Sequence, residues 1–193
     1  MNNPQTFPPL TEAADTLLPI ARASIASQFG NTHAANESAP WLRMQGASFV
    51  TLNLGKKLRG CIGSLQAHRP LLNDVKANAL AAAFRDPRFK PLSAAEFQNI
   101  EIEISLLSAL TTLSFSDEAS ALAQLKPHQH GVIFEYGHHR STYLPQVWDT
   151  FADPAMFMAT LKQKAGLPPN FWEPGVKMHT YTIAKLREPP AQA

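Results

Sequence analysis

Cys61 is the only cysteine of the chain, and it lies in the run Leu58-Arg59-Gly60-Cys61-Ile62-Gly63-Ser64-Leu65, two residues after an arginine and between two glycines. A thiol acts as a nucleophile through its thiolate, and a neighbouring cation favours that form. Read as a strand, the run alternates its side chains, so Arg59, Cys61, Gly63 and Leu65 share one face, with Arg59 and Cys61 roughly 6.6 Å apart at about 3.3 Å of rise per residue. The pattern nominates Cys61 as the nucleophile of a transferase or hydrolase and Arg59 as its electrostatic support. Glu135, between Phe134 and Tyr136 on a second apolar run, is the candidate orienting carboxylate, and if buried it demands a partner such as Arg59 or Arg140. Gly60 and Gly63 are expected to leave backbone open to a substrate or a neighbouring chain, although glycines in strands also mark bulges. A cysteine in an apolar strand is more often a small buried hydrophobe, and spacing alone pairs it with no histidine.

Other groups offer weaker chemistry. Glu101 and Glu103 share a strand face and are a conceivable acid and base pair, yet alternating Glu/Ile strands usually turn their carboxylates to water. His128, His130, His138 and His139 cluster along the sequence without the HExxH or Cys/His spacing of a metal site, so no metal is assigned. No cofactor motif is evident. Asp86-Pro87-Arg88-Phe89 reads as a turn whose charge pair orients the preceding helix. Phe134, Tyr136 and Tyr143 are candidate stacking groups for an RNA-binding module.

The elements that must position these residues follow from periodicity. Leu10 to Phe29 has helical spacing, with Thr11 as a possible N-cap and Pro19 either kinking it or starting a second helix. Residues 47–54 and 57–65 flank Gly55-Lys56 as a hairpin that carries Cys61 on its second strand. Pro70 opens an amphipathic helix that ends before Pro87. Ile100 to Leu106 alternates as a half-buried strand. Ser116 to Leu125 is a short helix capped by Ser116, and a second hairpin joins 131–136 to 141–144. Asp153-Pro154 starts a helix over 155–165, and Lys177 to Ala184 is a closing strand. Strands joined by hairpins among unequal helices predict an α+β fold, a two-lobed single unit with antiparallel sheet and flanking helices.

Composition sets the outer bounds. The 193 residues are 45% hydrophobic and 17% charged, enough for a sizeable core, and the formal net charge of +2 comes without the clustered Lys and Arg of a nucleic-acid face. Residues 1–9 and 187–193 have the composition of flexible tails around a domain at 10–186. The opening MNNPQTFPPL has no basic segment followed by an apolar stretch, one cysteine forms no internal disulfide, and no run of about 18 apolar residues occurs. The expected location is the cytoplasm.

In order, LRGCIGSL at 58–65, AAAFRDPRF at 81–89, EIEIS at 101–105, GVIFEYG at 131–137, YLPQVW at 143–148 and KAGLPPNFW at 164–172 resemble the AMMECR family over nearly the whole folded chain. The resemblance implies a two-lobed α+β fold, and within the family it implies a bacterial system that joins this domain to a Memo-like protein and a radical SAM protein. Those two proteins are the implied partners, acting on an unknown substrate. Arg59, Gly60, Cys61, Gly63, Glu135, Pro145 and Gln146 carry over as parts of the family's characteristic surface. Pro19 and the His138-His139 pair depart from the family pattern.

Overall fold

The computed structural model describes residues 8–189. The chain divides into two compact units, the first running to Leu107 and resuming at Ala184, the second comprising Ser108–Ile183. Both combine helices with antiparallel sheet, which is the α+β class expected.

The first unit opens with α1 (Leu10–Ala26), whose Ala13, Leu17, Ile20, Ala21 and Ile25 form a buried stripe. Pro9, not Thr11, holds the N-cap position. Pro19 neither ends nor splits the helix; it sits on the exposed side, and the residue whose carbonyl it deprives of a donor, Asp15, is exposed as well. The two-residue strands β1 (Gln45–Gly46) and β4 (Arg69–Pro70) pair with each other. The main sheet has four strands in the order β10 (Ile183–Arg187), β5 (Ile100–Leu107), β2 (Ser48–Leu54), β3 (Lys57–Gly63). Val50, Leu52, Ile102 and Ile104 point to the face on which α1 and α2 (Leu71–Phe84) pack, joined there by Val75, Ala79 and Ala82. The expected hairpin is present, with an irregularity the sequence did not announce. Leu52 faces Gly60 while Asn53 faces Leu58, so Arg59 is the unpaired residue of a β-bulge.

A buried polar hub fixes the segment that leaves β3. Asp74 on α2 is fully buried and accepts from the Ser48 amide (2.8 Å) and hydroxyl (2.7 Å), the Ser64 hydroxyl (2.6 Å), Arg69 Nε (2.8 Å) and Asn78 Nδ2 (2.9 Å). An ionised carboxylate without these donors would be prohibitive in that position. The hub ties the helix, the central strand and the loop after Gly63 into one piece.

The second unit carries a sheet in the order β6 (Thr111–Thr112), β9 (Lys177–Tyr181), β7 (Gly131–Tyr136), β8 (His139–Tyr143), with α4 (Glu118–Leu122) and α5 (Pro154–Lys164). Its core holds Val132, Phe134, Phe157, Met158, Leu161, Met178 and Trp148, which stacks on Phe157 at 3.8 Å between ring centres. α4 is capped by Asp117 rather than Ser116, and Asp153 caps α5 as expected. β8 begins at His139, two residues before the expected strand. The single closing strand expected over 177–184 is instead two, β9 and β10, belonging to different sheets. The break falls at Thr182, whose amide and carbonyl both turn to Ser108.

The tails expected at 1–9 and 187–193 lie largely outside the described residues, but Pro9, Arg187 and Glu188 are inside them. Pro9 accepts the Ala13 amide at 3.0 Å. Arg187 ends β10 and pairs with Glu103, while Glu188 pairs with Arg22 of α1 and accepts the Ile102 amide at 2.8 Å. The polar, proline-rich composition there concealed ion pairs to distant residues.

Candidate functional site

Cys61 lies in the middle of β3, the edge strand of the first sheet. Its partner across the ladder is Thr51, whose partner on the other side is Glu103, so the three form one row across β3, β2 and β5. Residues directly opposite in a ladder point to the same face. The Thr51 hydroxyl donates to the sulfur at 3.3 Å, and Cys61 is half-buried.

The backbone of Cys61 faces away from β2, where an edge strand normally leaves its amide and carbonyl unpaired. Both groups are occupied here by side chains from the turn after α2. Asp86 Oδ2 accepts the Cys61 amide at 2.9 Å, and Arg88 Nη2 donates to the Cys61 carbonyl at 3.1 Å. The two side chains are themselves joined, Nη2 to Oδ2 at 2.7 Å and Nε to Oδ1 at 2.9 Å. Asp86 is buried, and the Arg88 hydrogen bond drives its carboxyl far below the ordinary carboxylate range against the opposing effect of burial. Arg88 is raised in turn, chiefly by Asp86, with Cys61 adding a smaller contribution.

The cation beside Cys61 is therefore Arg88, not Arg59. Side-chain alternation was to bring Arg59 to the thiol, but the bulge at Arg59 breaks the alternation there. Arg59 Nε and Nη2 instead bind the Glu96 carboxylate at 2.8 and 3.1 Å, and Nη2 also donates to the Lys90 carbonyl at 2.9 Å. Its Nη1 is buried with no partner among the described residues. Glu96 also accepts from Ser93 at the start of α3 (Ala94–Phe97), and the Arg59 hydrogen bond, reinforced by Ser93, lowers its carboxyl to about 2.

Gly60 and Gly63 do not open the backbone to a ligand, because protein fills both places. A Cβ at Gly60 would stand 2.2 Å from the Ala82 carbonyl oxygen of α2. At Gly63 it would stand 2.2 Å from the ring of Phe49, its cross-strand neighbour. Absence of a side chain is needed at each for close packing.

The remaining expected residues have separate assignments. Glu135 belongs to the second unit, where it pairs with Arg140, its cross-strand neighbour, at 2.6 Å, and lies 3.7 Å from His179 Nε2. Pro145 is buried at the first position of a 3-10 turn over Pro145–Asp149 that delivers Trp148 to the core, and Gln146 is exposed. Glu103 is a charge partner for Arg187 and Lys185, not one half of a carboxylate pair with Glu101. Phe134 is fully buried, which removes it as a stacking surface, and Tyr136 and Tyr143 pack edge-on against Phe171 and Phe157. Among the described residues no group of three His, Cys, Asp or Glu side chains is placed to hold a metal, and no helix is long and apolar enough to cross a membrane.

Asp86 and Arg88 are the residues that sequence reasoning undervalued. Their only local signal was the Asp-Pro-Arg turn following a helix, and the partner that gives the pair its role lies 25 residues earlier.

Residues 18–186 match the AMMECR1 family model. A protein of Methanocaldococcus jannaschii is 34% identical over 173 residues, covering 87% of this chain and 86% of its own. One from Methanothermobacter thermautotrophicus is 31% identical over 178 residues, covering 90% and 93%. Among solved structures, that of an uncharacterized protein from Pyrococcus horikoshii superposes with a TM-score of 0.76 at 29% identity, covering 92% of each chain.

Proposed function

The chain belongs to the AMMECR1 family, and from that premise we propose that it acts as the AmmeMemoRadiSam system protein A, working in the cytoplasm with a Memo-like protein and a radical SAM protein to modify a substrate. The sheet face around Cys61 is the surface it contributes. The observation that carries this reading is the clamp on Cys61: a buried aspartate and an arginine hold its amide and carbonyl while Thr51 holds the sulfur. A half-buried thiol fixed on three sides is pre-organised to meet a partner or substrate at low entropic cost.

A stand-alone Cys-dependent transferase or hydrolase is the second reading, favoured by the hydroxyl that Thr51 directs at the sulfur. It lacks a competent base: Asp86, the carboxylate at Cys61, is held ionised by Arg88 and is a poor proton acceptor.

Copurification from a host carrying both presumed partners, with product formation compared between wild type, deletion and Cys61→Ser, tests the proposal. Deletion should abolish the product. Product loss in Cys61→Ser with copurification retained gives the thiol a reactive role, and full activity in that variant leaves the face a docking surface. Unchanged product on deletion together with failure to copurify overturns the reading.

A further inference from the structure

The face that carries Cys61 continues into a polar cavity of about 260 Å³ lined by Asn53, Lys56, Glu101, Glu103, Arg187 and Glu188. Glu103 belongs to both places, since it is the far end of the Cys61–Thr51–Glu103 row. The next row along, about 6.8 Å away at two strand residues, is Asn53 opposite Glu101.

Three of the lining groups are already neutralised. Glu103 is paired with Arg187 and Lys185, and Glu188 with Arg22. Three others have no side-chain partner among the described residues: the Asn53 amide, the Lys56 ammonium and the Glu101 carboxylate. Lys56 and Glu101 carry opposite charges on the walls of one cavity, yet they do not form an ion pair with each other. What remains unanswered is one positive charge, one negative charge and an amide able both to donate and to accept.

We infer that this cavity binds a free α-amino acid, its carboxylate on Lys56, its ammonium on Glu101 and its polar atoms on Asn53. A zwitterion answers both free charges at once, whereas a simple anion or cation leaves one of them facing a like or unmatched group. The volume falls below the range of about 300–1,000 Å³ typical of drug-sized ligands, which fits an occupant of this class. The inference deepens the reading of the Cys61 face by giving it a substrate class, and binding is read on the isolated chain, so it succeeds or fails independently of the two partners.

Thermal unfolding of the purified chain with each proteinogenic L-amino acid at millimolar concentration, followed by titration calorimetry on those that raise the midpoint, is the test. At least one free amino acid should bind, and its N-acetyl and amide derivatives, each lacking one charge, should bind at least about tenfold more weakly. Glu101→Gln and Lys56→Gln, which break no pair in the fold, should each weaken binding of the free amino acid by about tenfold or more while circular dichroism stays unchanged. The inference is overturned if no amino acid shifts the midpoint, if the blocked derivatives bind as well as the zwitterion, or if either variant binds like wild type.

Discussion

Arg88 donates both to Asp86 and to the carbonyl of Cys61, so one guanidinium joins the turn after α2 to the exposed edge of β3. Its side chain is 54% exposed while that of Asp86 is 1% exposed, so the buried carboxylate is the member whose loss matters more. Asp86→Asn should cost about 1–3 kcal/mol, the range for leaving buried hydrogen-bonding groups poorly matched, read as a lower urea midpoint. It should also speed alkylation of Cys61, because the strand edge loosens. A second residue-scale prediction concerns acid. The Glu96 carboxyl is lowered from 4.5 to about 2, mainly by Arg59. A group whose folded value lies below its unfolded one contributes its full stabilisation above the unfolded value and loses it as pH falls through the folded one. Stability from this pair is therefore whole above pH 4.5 and gone near pH 2. Glu96→Gln should lower stability at neutral pH and flatten the acid limb of the pH profile across that window.

At the scale of elements, β3 shows how a strand motif serves packing on both faces. Gly60 admits the backbone of α2, and Gly63 admits the ring of Phe49. Gly60→Ala and Gly63→Ala should each destabilise by about 1–3 kcal/mol through overpacking, because backbone blocks both places: the Ala82 carbonyl at Gly60 and the Phe49 Cα, 2.7 Å from the added Cβ, at Gly63. Thermal denaturation of the two variants checks both. The hairpins and the long helices were legible in the sequence because their signals repeat every two or every three to four residues. The bulge at Arg59 was not, since one unpaired residue leaves no mark in the alternation and yet redirects every side chain before it. That single slip turns Arg59 away from Cys61, which Arg88 reaches separately from the turn after α2. Asp74 was legible as a helix residue but not as the acceptor for Ser48, Ser64 and Arg69, because hydrogen bonds between separate elements have no period.

For the molecule as a whole, the far end of the chain returns to its first helix. Glu188 binds Arg22 and the Ile102 amide, although composition assigned it to a flexible tail. Glu188→Ala should cost about 1.5–3 kcal/mol, the range for hydrogen bonds to charged groups, and the deficit should appear in hydrogen exchange of α1 and β5 rather than of β7 and β8. The family was recognisable because six short motifs recur in order. Their spatial sorting was not, since a motif such as GVIFEYG reads the same whichever unit it helps to build.

The second unit is an insertion between β5 and β10, two strands that lie side by side in the first unit's sheet. Everything from Ser108 to Ile183 must leave the ribosome before β10 can join β5, whereas each strand of the second sheet is available by Tyr181. Three strands of the first sheet are therefore made by Leu107, and the edge of β5 that β10 will cover stays unpaired until residues 108–183 have been synthesised. During that interval the growing chain carries an open strand edge, the form most exposed to mispairing.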